Sequence, residues 1–138
     1  MRTPMDIRSI LFTYRHIAIV GLSDKPERPS HGVARYLMQA GYQLYPVNPT
    51  IDKVLGMPCW PSISAIPAEQ RRLIEIVVIF RNPADVPPIV DEAIASGARV
   101  VWMQLGITNA TASAKARNAG LEVIENRCIA VEHQRLGL

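Results

Sequence analysis

The stretch from Ile17 to Pro49, IAIVGLSDKPERPSHGVARYLMQAGYQLYPVNP, limits what this chain can fold into more than any other. It opens on Ile17-Ala18-Ile19-Val20, the unbroken apolar run of a central parallel strand covered on both faces. Gly21 ends that run. The loop from Leu22 to Pro29 holds two prolines and four charges, which keeps it out of helix interior. From Ser30 onward the pattern changes. Val33, Ala34, Leu37 and Met38 recur at helical spacing, with Ser30 expected as N-cap and Gly41 as the stop. Tyr42 to Val47 is a second strand, halted by Asn48-Pro49. Strand, polar loop, amphipathic helix and strand make one β-α-β unit.

The rest of the chain continues the alternation. Thr3, Pro4 and Asp6 read as the start of a short N-terminal helix, with Ile7, Ile10, Leu11 and Tyr14 on one face. After Pro49 comes a loop to Pro67, in which Met57 to Trp60 is expected to form an edge segment and Ser64 to Leu73 a helical turn. Glu75 to Phe80 is β-branched and aromatic, hence a buried strand. Asn82-Pro83 begins a helix to about Ser96, whose Pro87 and Pro88 fall in the first turns, where a missing N–H costs least. Arg99 to Met103 is the next strand. Thr108 or Asn109 caps a helix through Asn118, and Leu121 to Ile124 is the last strand, followed by a mostly polar tail. Right-handed crossovers turn this order into a Rossmann-like open parallel sheet with helices on both faces, an α/β fold. All 138 residues are read as one domain, with residues 1–16 forming a helical segment packed on it.

Charge narrows the partners. The chain carries 15 basic and 12 acidic side chains, a net charge of +3 with no Lys/Arg block, which argues against nucleic acid. A small phosphorylated ligand remains compatible. No apolar run approaches the roughly 20 residues that span a bilayer, and Arg2, Asp6, Arg8 and Arg15 interrupt the N-terminus, unlike a secretory signal. The two cysteines, Cys59 and Cys128, lie in no metal-ligand spacing and read as reduced thiols of a cytoplasmic protein.

In sheets of this kind, ligands bind beyond the carboxyl ends of the strands. The turn after the first strand is the most informative of these ends. Gly21 lets the backbone approach a ligand closely, Ser23, Lys25 and Arg28 supply a hydroxyl and two cations, and the helix start at Ser30-His31 offers free N–H groups. Together they suit a pyrophosphate; a solvated loop with ordinary surface charges is the alternative. Two departures argue against NAD. The next glycine after Gly21 is Gly32, which is not GxGxxG, and the second strand ends on Val47-Asn48-Pro49 with no acid for a ribose.

The motifs GLSDKPERPSHGVARYL, YPVNP, VLGMPCWPS, FRNP, WMQLGI and ENRCIAVEH resemble, in this order, the stand-alone CoA-binding domain proteins. These are similar to the N-terminal domain of the succinyl-CoA synthetase α subunit. The resemblance runs from about Ile7 to Leu136. It implies a domain that holds coenzyme A, free or as an acyl-CoA, at the strand ends. Gly21, Leu22 and Ser23 would contact the nucleotide, with Lys25, Arg28, Ser30 and His31 near its phosphates. Val47, Asn48 and Pro49 would wall the adenine or ribose side. Phe80 and Arg81 would cross the cleft, and Gln104, Leu105 and Gly106 would face the pantetheine arm. Asn126 and Cys128 would close the far end. The synthetase carries a lysine shortly after its second-strand proline, where this chain has Thr50 and Ile51.

No catalytic triad, carboxylate pair or metal cluster stands out, so no catalytic and no metal-binding residue is expected. Of the three histidines, His16 reads as structural or exposed, and His133 as a surface or dimer-contact residue. His31 is the one placed to touch a ligand. Cys128 reads as a small residue closing the site, with a mixed disulfide to a thiol ligand as the alternative; Cys59 reads as packing. The expected function is therefore CoA binding without catalysis. The competing readings are an NAD(P)-binding oxidoreductase or redox sensor, and an accessory subunit of a separate acyl-CoA enzyme. A homodimer is possible on either view.

Overall fold

A computed structural model describes residues 5–138. Five parallel strands form the sheet: β1 (His16–Val20), β2 (Gln43–Val47), β5 (Ile76–Ile79), β6 (Val100–Met103) and β7 (Glu122–Ile124), in the order β2-β1-β5-β6-β7. A two-stranded antiparallel hairpin, β3 (Lys53–Val54) and β4 (Met57–Pro58), stands beside β2. Its two-residue turn places Leu55 and Gly56 both at positive φ, the arrangement that suits a tight hairpin. The edge segment expected at Met57 to Trp60 is this hairpin's second strand, together with a bridge from Trp60 to Val47.

Alternation along each strand splits the apolar residues into two cores. Ala18 and Val20 of β1 face one side with Val77, Ile79, Val101 and Met103. There they meet α4 (Val86–Ser96) through Val90 and Ala93, and α5 (Ala110–Asn118) through Ala112 and Ala116. Ile17 and Ile19 face the other side with Ile76, Val78, Val100 and Trp102. That side is covered by α1 (Ile7–Thr13), α2 (Pro29–Gln39) and α6 (Ile129–Leu136), which contribute Ile10, Leu11, Val33, Leu37 and Ile129. Helices on both faces explain why the central strands read as continuous apolar runs. The short α3 (Ala68–Arg71) lies within the segment expected to hold a helical turn.

Three local expectations are corrected. Asp6, not Thr3, caps α1: its carboxylate accepts from Ser9 N at 2.8 Å, and that bond holds its pKa below the usual value. Thr3 and Pro4 themselves lie outside the described residues. Ser30 does not cap α2. Pro29 fixes the first helical φ and pushes the preceding Arg28 into extended backbone, so Arg28 becomes the N-cap and Ser30 falls inside the first turn. The polar tail is not a tail. It is α6, whose Ile129 and His133, one turn apart, are buried against the rest of the domain.

Candidate functional site

The sheet order reverses between β1 and β5, since the chain leaves β1 toward β2 and later resumes at β5 on the other side. This is the switch point at which a cleft opens beyond the carboxyl ends of parallel strands. Gly21 sits there at φ +89°, its N–H donating to Val47 O at 2.8 Å. A Cβ on Gly21 would collide with the Phe80 carbonyl and reach 3.1 Å from the Arg81 Cδ. The ends of β1, β2 and β5 are thus drawn together at one glycine.

The following loop is ordered by its own hydrogen bonds. Ser23 N donates to the buried Ser30 Oγ at 3.0 Å, and Lys25 N to Ser23 Oγ at 3.1 Å. Arg28 N donates to Lys25 O at 3.0 Å. These bonds fold the loop back onto the first turn of α2, where the helix dipole is positive; Pro29 carries no N–H there, and His31 N donates to Arg28 O at 3.1 Å. Across the gap, Asn48 staples the β2 end. Its Nδ2 donates to Leu22 O at 3.0 Å, while its Oδ1 accepts from Thr50 N at 2.9 Å and Thr50 Oγ1 at 2.7 Å.

Between these walls lies an open hollow of about 380 Å³. It brings together Gly21, Ser23, Lys25, Arg28, Ser30, Asn48 and Phe80 from the expected set. Asp24, Pro29, Thr50 and Ile51 also line it, and sequence reasoning did not select them. Thr50 and Ile51 directly follow the Asn48-Pro49 stop, so the strand-end rule could have included them. Phe80 also borders a second hollow of about 360 Å³ with Arg81, Asn82, Pro83, Gly106 and Ile107. Arg81 is paired with Asp85 at 3.2 Å in that region.

Other expected residues take supporting positions. The side chains of Leu22 and Val47 are buried in the two cores, and their carbonyls accept from Asn48 Nδ2 and Gly21 N. Gln104 is buried, and its Oε1 accepts from Ile129 N at 3.0 Å. Asn126, at φ +56°, accepts from Gly106 N through Oδ1 at 2.6 Å and ties the β6 and β7 turns together. Leu105 and Pro49 are exposed. Cys128 is the N-cap residue of α6, half-buried, and lines neither hollow. His31 is buried with its Nδ1 lacking a hydrogen-bond partner.

The other two histidines are structural. His133 is buried, not at the surface, and shares a 2.7 Å hydrogen bond with the Tyr36 hydroxyl. His16 shares one of the same length with Tyr45. Burial pushes the Cys59 thiol up, with Asp52 and Asp24 adding to the shift, and its Sγ lies 3.8 Å from Asn48 O. That environment suits an inert packing thiol.

The first hollow offers two cations, hydroxyls, a glycine backbone and a helix N-terminus, a donor set matched to a diphosphate. The CoA binding domain model matches residues 15–134. The chain belongs to the CoA-binding domain family. It is 39% identical over 128 residues to YneT of Bacillus subtilis, covering 93% of this chain and 92% of that protein. It is 33% identical over 94 residues to acetate–CoA ligase [ADP-forming] II of Archaeoglobus fulgidus, covering 67% of this chain but 13% of the ligase. A solved structure from Pyrococcus horikoshii superposes with a TM-score of 0.90 at 44% identity, covering 100% of this chain and 99% of that one. The CoA-binding domain family thus includes proteins of this length as well as one part of a much longer ligase.

Proposed function

We propose that this protein binds coenzyme A or an acyl-CoA at the carboxyl ends of β1, β2, β5 and β6, and holds it without transforming it. The observation that carries this reading is the convergence of Lys25, Arg28 and the first turn of α2 on the hollow at the switch point. The nucleotide diphosphate lies there, with Gly21 and Ser23 beneath it. The adenosine end lies toward Asn48, Pro49, Thr50 and Ile51. The pantetheine arm crosses Phe80 into the second hollow, past Arg81 and Gly106, so that the thiol ends near the β6 turn. The two hollows share Phe80, which supports one elongated ligand over two separate ones.

Absence of catalysis is part of the same proposal. Neither hollow is lined by a histidine or a cysteine, and Arg81 already faces a carboxylate. A protein built this way presents, stores or senses its ligand in the cytoplasm. Isothermal calorimetry on protein refolded free of ligand tests the reading, with CoA, acetyl-CoA, NAD and NADP as titrants. Micromolar binding of CoA or acetyl-CoA is expected, weakened tenfold or more by Lys25→Ala with Arg28→Ala. Binding of NADP without CoA, or no CoA binding at millimolar concentration, would overturn it.

A further inference from the structure

The first hollow is charged unevenly, and the asymmetry bears on which ribose it accepts. Both of its cations, Lys25 and Arg28, come from the loop between β1 and α2. The wall contributed by the chain after β2 consists of Asn48, Thr50 and Ile51, with no cation. Lys53, the next cation along the chain, is held in β3 opposite Pro58 and does not line the hollow.

One carboxylate lines the hollow, and a second follows that wall in the chain. Asp24 lines the hollow itself. Asp52 follows Ile51, and its backbone carbonyl accepts from Cys59 N at 2.8 Å. Burial raises the pKa of the Cys59 thiol, Asp52 and Asp24 add to that shift, and the thiol lies 3.8 Å from the Asn48 carbonyl oxygen. The Asn48 carboxamide oxygen is taken twice by Thr50, and one amide hydrogen by Leu22 O. It has little left to offer a phosphate.

In a sheet of this order, the residues at the end of the second strand read the ribose. A carboxylate there favours free hydroxyls, and a cation favours a phosphorylated ribose. Resting on the CoA reading above, we propose that Asp24 and the uncharged Thr50-Ile51 wall make this site indifferent or averse to the ribose 3′-phosphate. Its ligand class is the ADP-pantetheine thiols as a whole, with 3′-dephospho-CoA held at least as well as CoA. Asp24 is then a specificity-determining residue, acting by repulsion of a phosphate and by accepting hydrogen bonds from ribose hydroxyls.

The test is a calorimetric comparison of CoA with 3′-dephospho-CoA at low ionic strength, on the full chain and on two variants. In the unaltered protein, dephospho-CoA is expected to bind with a Kd equal to that of CoA within threefold, or lower. Asp24→Asn is expected to shift the ratio of the two Kd values toward CoA by threefold or more. Thr50→Lys, which adds a cation to the bare wall, is expected to shift it further, about tenfold. A ratio between two ligands cancels a general loss of folding, so a merely structural effect of either substitution leaves it unmoved. CoA bound more than threefold tighter than dephospho-CoA by the unaltered protein would overturn this inference and leave the CoA reading standing. A ratio unchanged by Asp24→Asn would overturn the role given to Asp24. Failure of both ligands to bind would remove the CoA reading and this inference with it.

Discussion

The carbonyl of Phe80 occupies the space that a Cβ on Gly21 would fill. The ideal Cβ position lies 2.9 Å from the Phe80 carbonyl carbon and closer still to its oxygen. This carbonyl is backbone, anchored where Phe80 N donates to Val20 O at 2.8 Å, so it cannot swing aside as a side chain would. Gly21→Ala therefore adds a left-handed penalty of about 1–2 kcal/mol to an overpacking cost of about 1–3 kcal/mol. The expected outcome is a loss of about 2–5 kcal/mol in urea unfolding, with CoA affinity lowered at least tenfold. Gly106, also at positive φ, has nothing within 4 Å of its Cβ position. Gly106→Ala should therefore cost only about 1 kcal/mol.

Asn48 joins two turns through one carboxamide, and its acidic isostere separates those two functions. Asn48→Asp keeps the acceptor for Thr50 but loses the donor to Leu22 O, and sets a carboxylate against that carbonyl. Loss of about 1–2 kcal/mol is expected in chemical denaturation. Asn48→Ala also frees Thr50, so hydrogen exchange at the Thr50 amide should accelerate in the alanine variant and stay slow in the aspartate one.

The sheet was legible because burial on both faces writes itself into unbroken apolar runs: Ile17 to Val20 and Ile76 to Ile79 are buried throughout. The cleft was legible for a related reason, since strand ends in a parallel sheet all point to one edge. What escaped were effects that depend on packing between distant segments. The helix after Cys128 has a buried face made of Ile129 and His133, and a histidine gives no apolar signal until Tyr36 is set beside it. Ser30 looked like a cap by residue type, but the ring of Pro29 moved the helix start. Asp24 reads as a solvated loop charge unless the loop's return onto α2 is known.

His133 gives the fold a pH dependence of definite sign. Its imidazole is bonded to Tyr36, lies edge-on to Tyr42 at 5.6 Å, and shares that cluster with Arg15, whose guanidinium is 5.1 Å from the Tyr42 ring centre. Burial, with Arg15 adding to it, lowers its pKa from the ordinary 6.5. Below that value the unfolded chain takes up a proton that the folded one refuses. Its contribution is thus complete above the unfolded pKa and lost as pH falls toward the folded one. The urea midpoint should drop between pH 7.5 and pH 5, and His133→Gln should flatten that part of the profile. An unchanged slope in the variant would assign the effect to other groups.

Trp102 couples the sheet to the last helix. Its ring is fully buried in the core beneath α1, α2 and α6, and its Nε1 donates to Arg127 O at 2.8 Å, one residue before the α6 N-cap. Beside it, Gln104 at the end of the same strand accepts from Ile129 N. The side chains of Trp102 in β6 and of Gln104 just after it thus hold the entry to a helix of only 8 residues, too short to persist alone. Trp102→Phe keeps an aromatic filler but removes the N–H and part of the volume, at a cost of about 1–3 kcal/mol. The loss should be concentrated at the C-terminus. Hydrogen exchange of residues 129–136 is expected to quicken under native conditions, while the amides of β1 change only by the global loss. Adding Gln104→Leu should release the helix further, because the Ile129 N–H then loses its partner as well. Equal acceleration in β1 and α6 would show instead that the helix unfolds only with the whole domain.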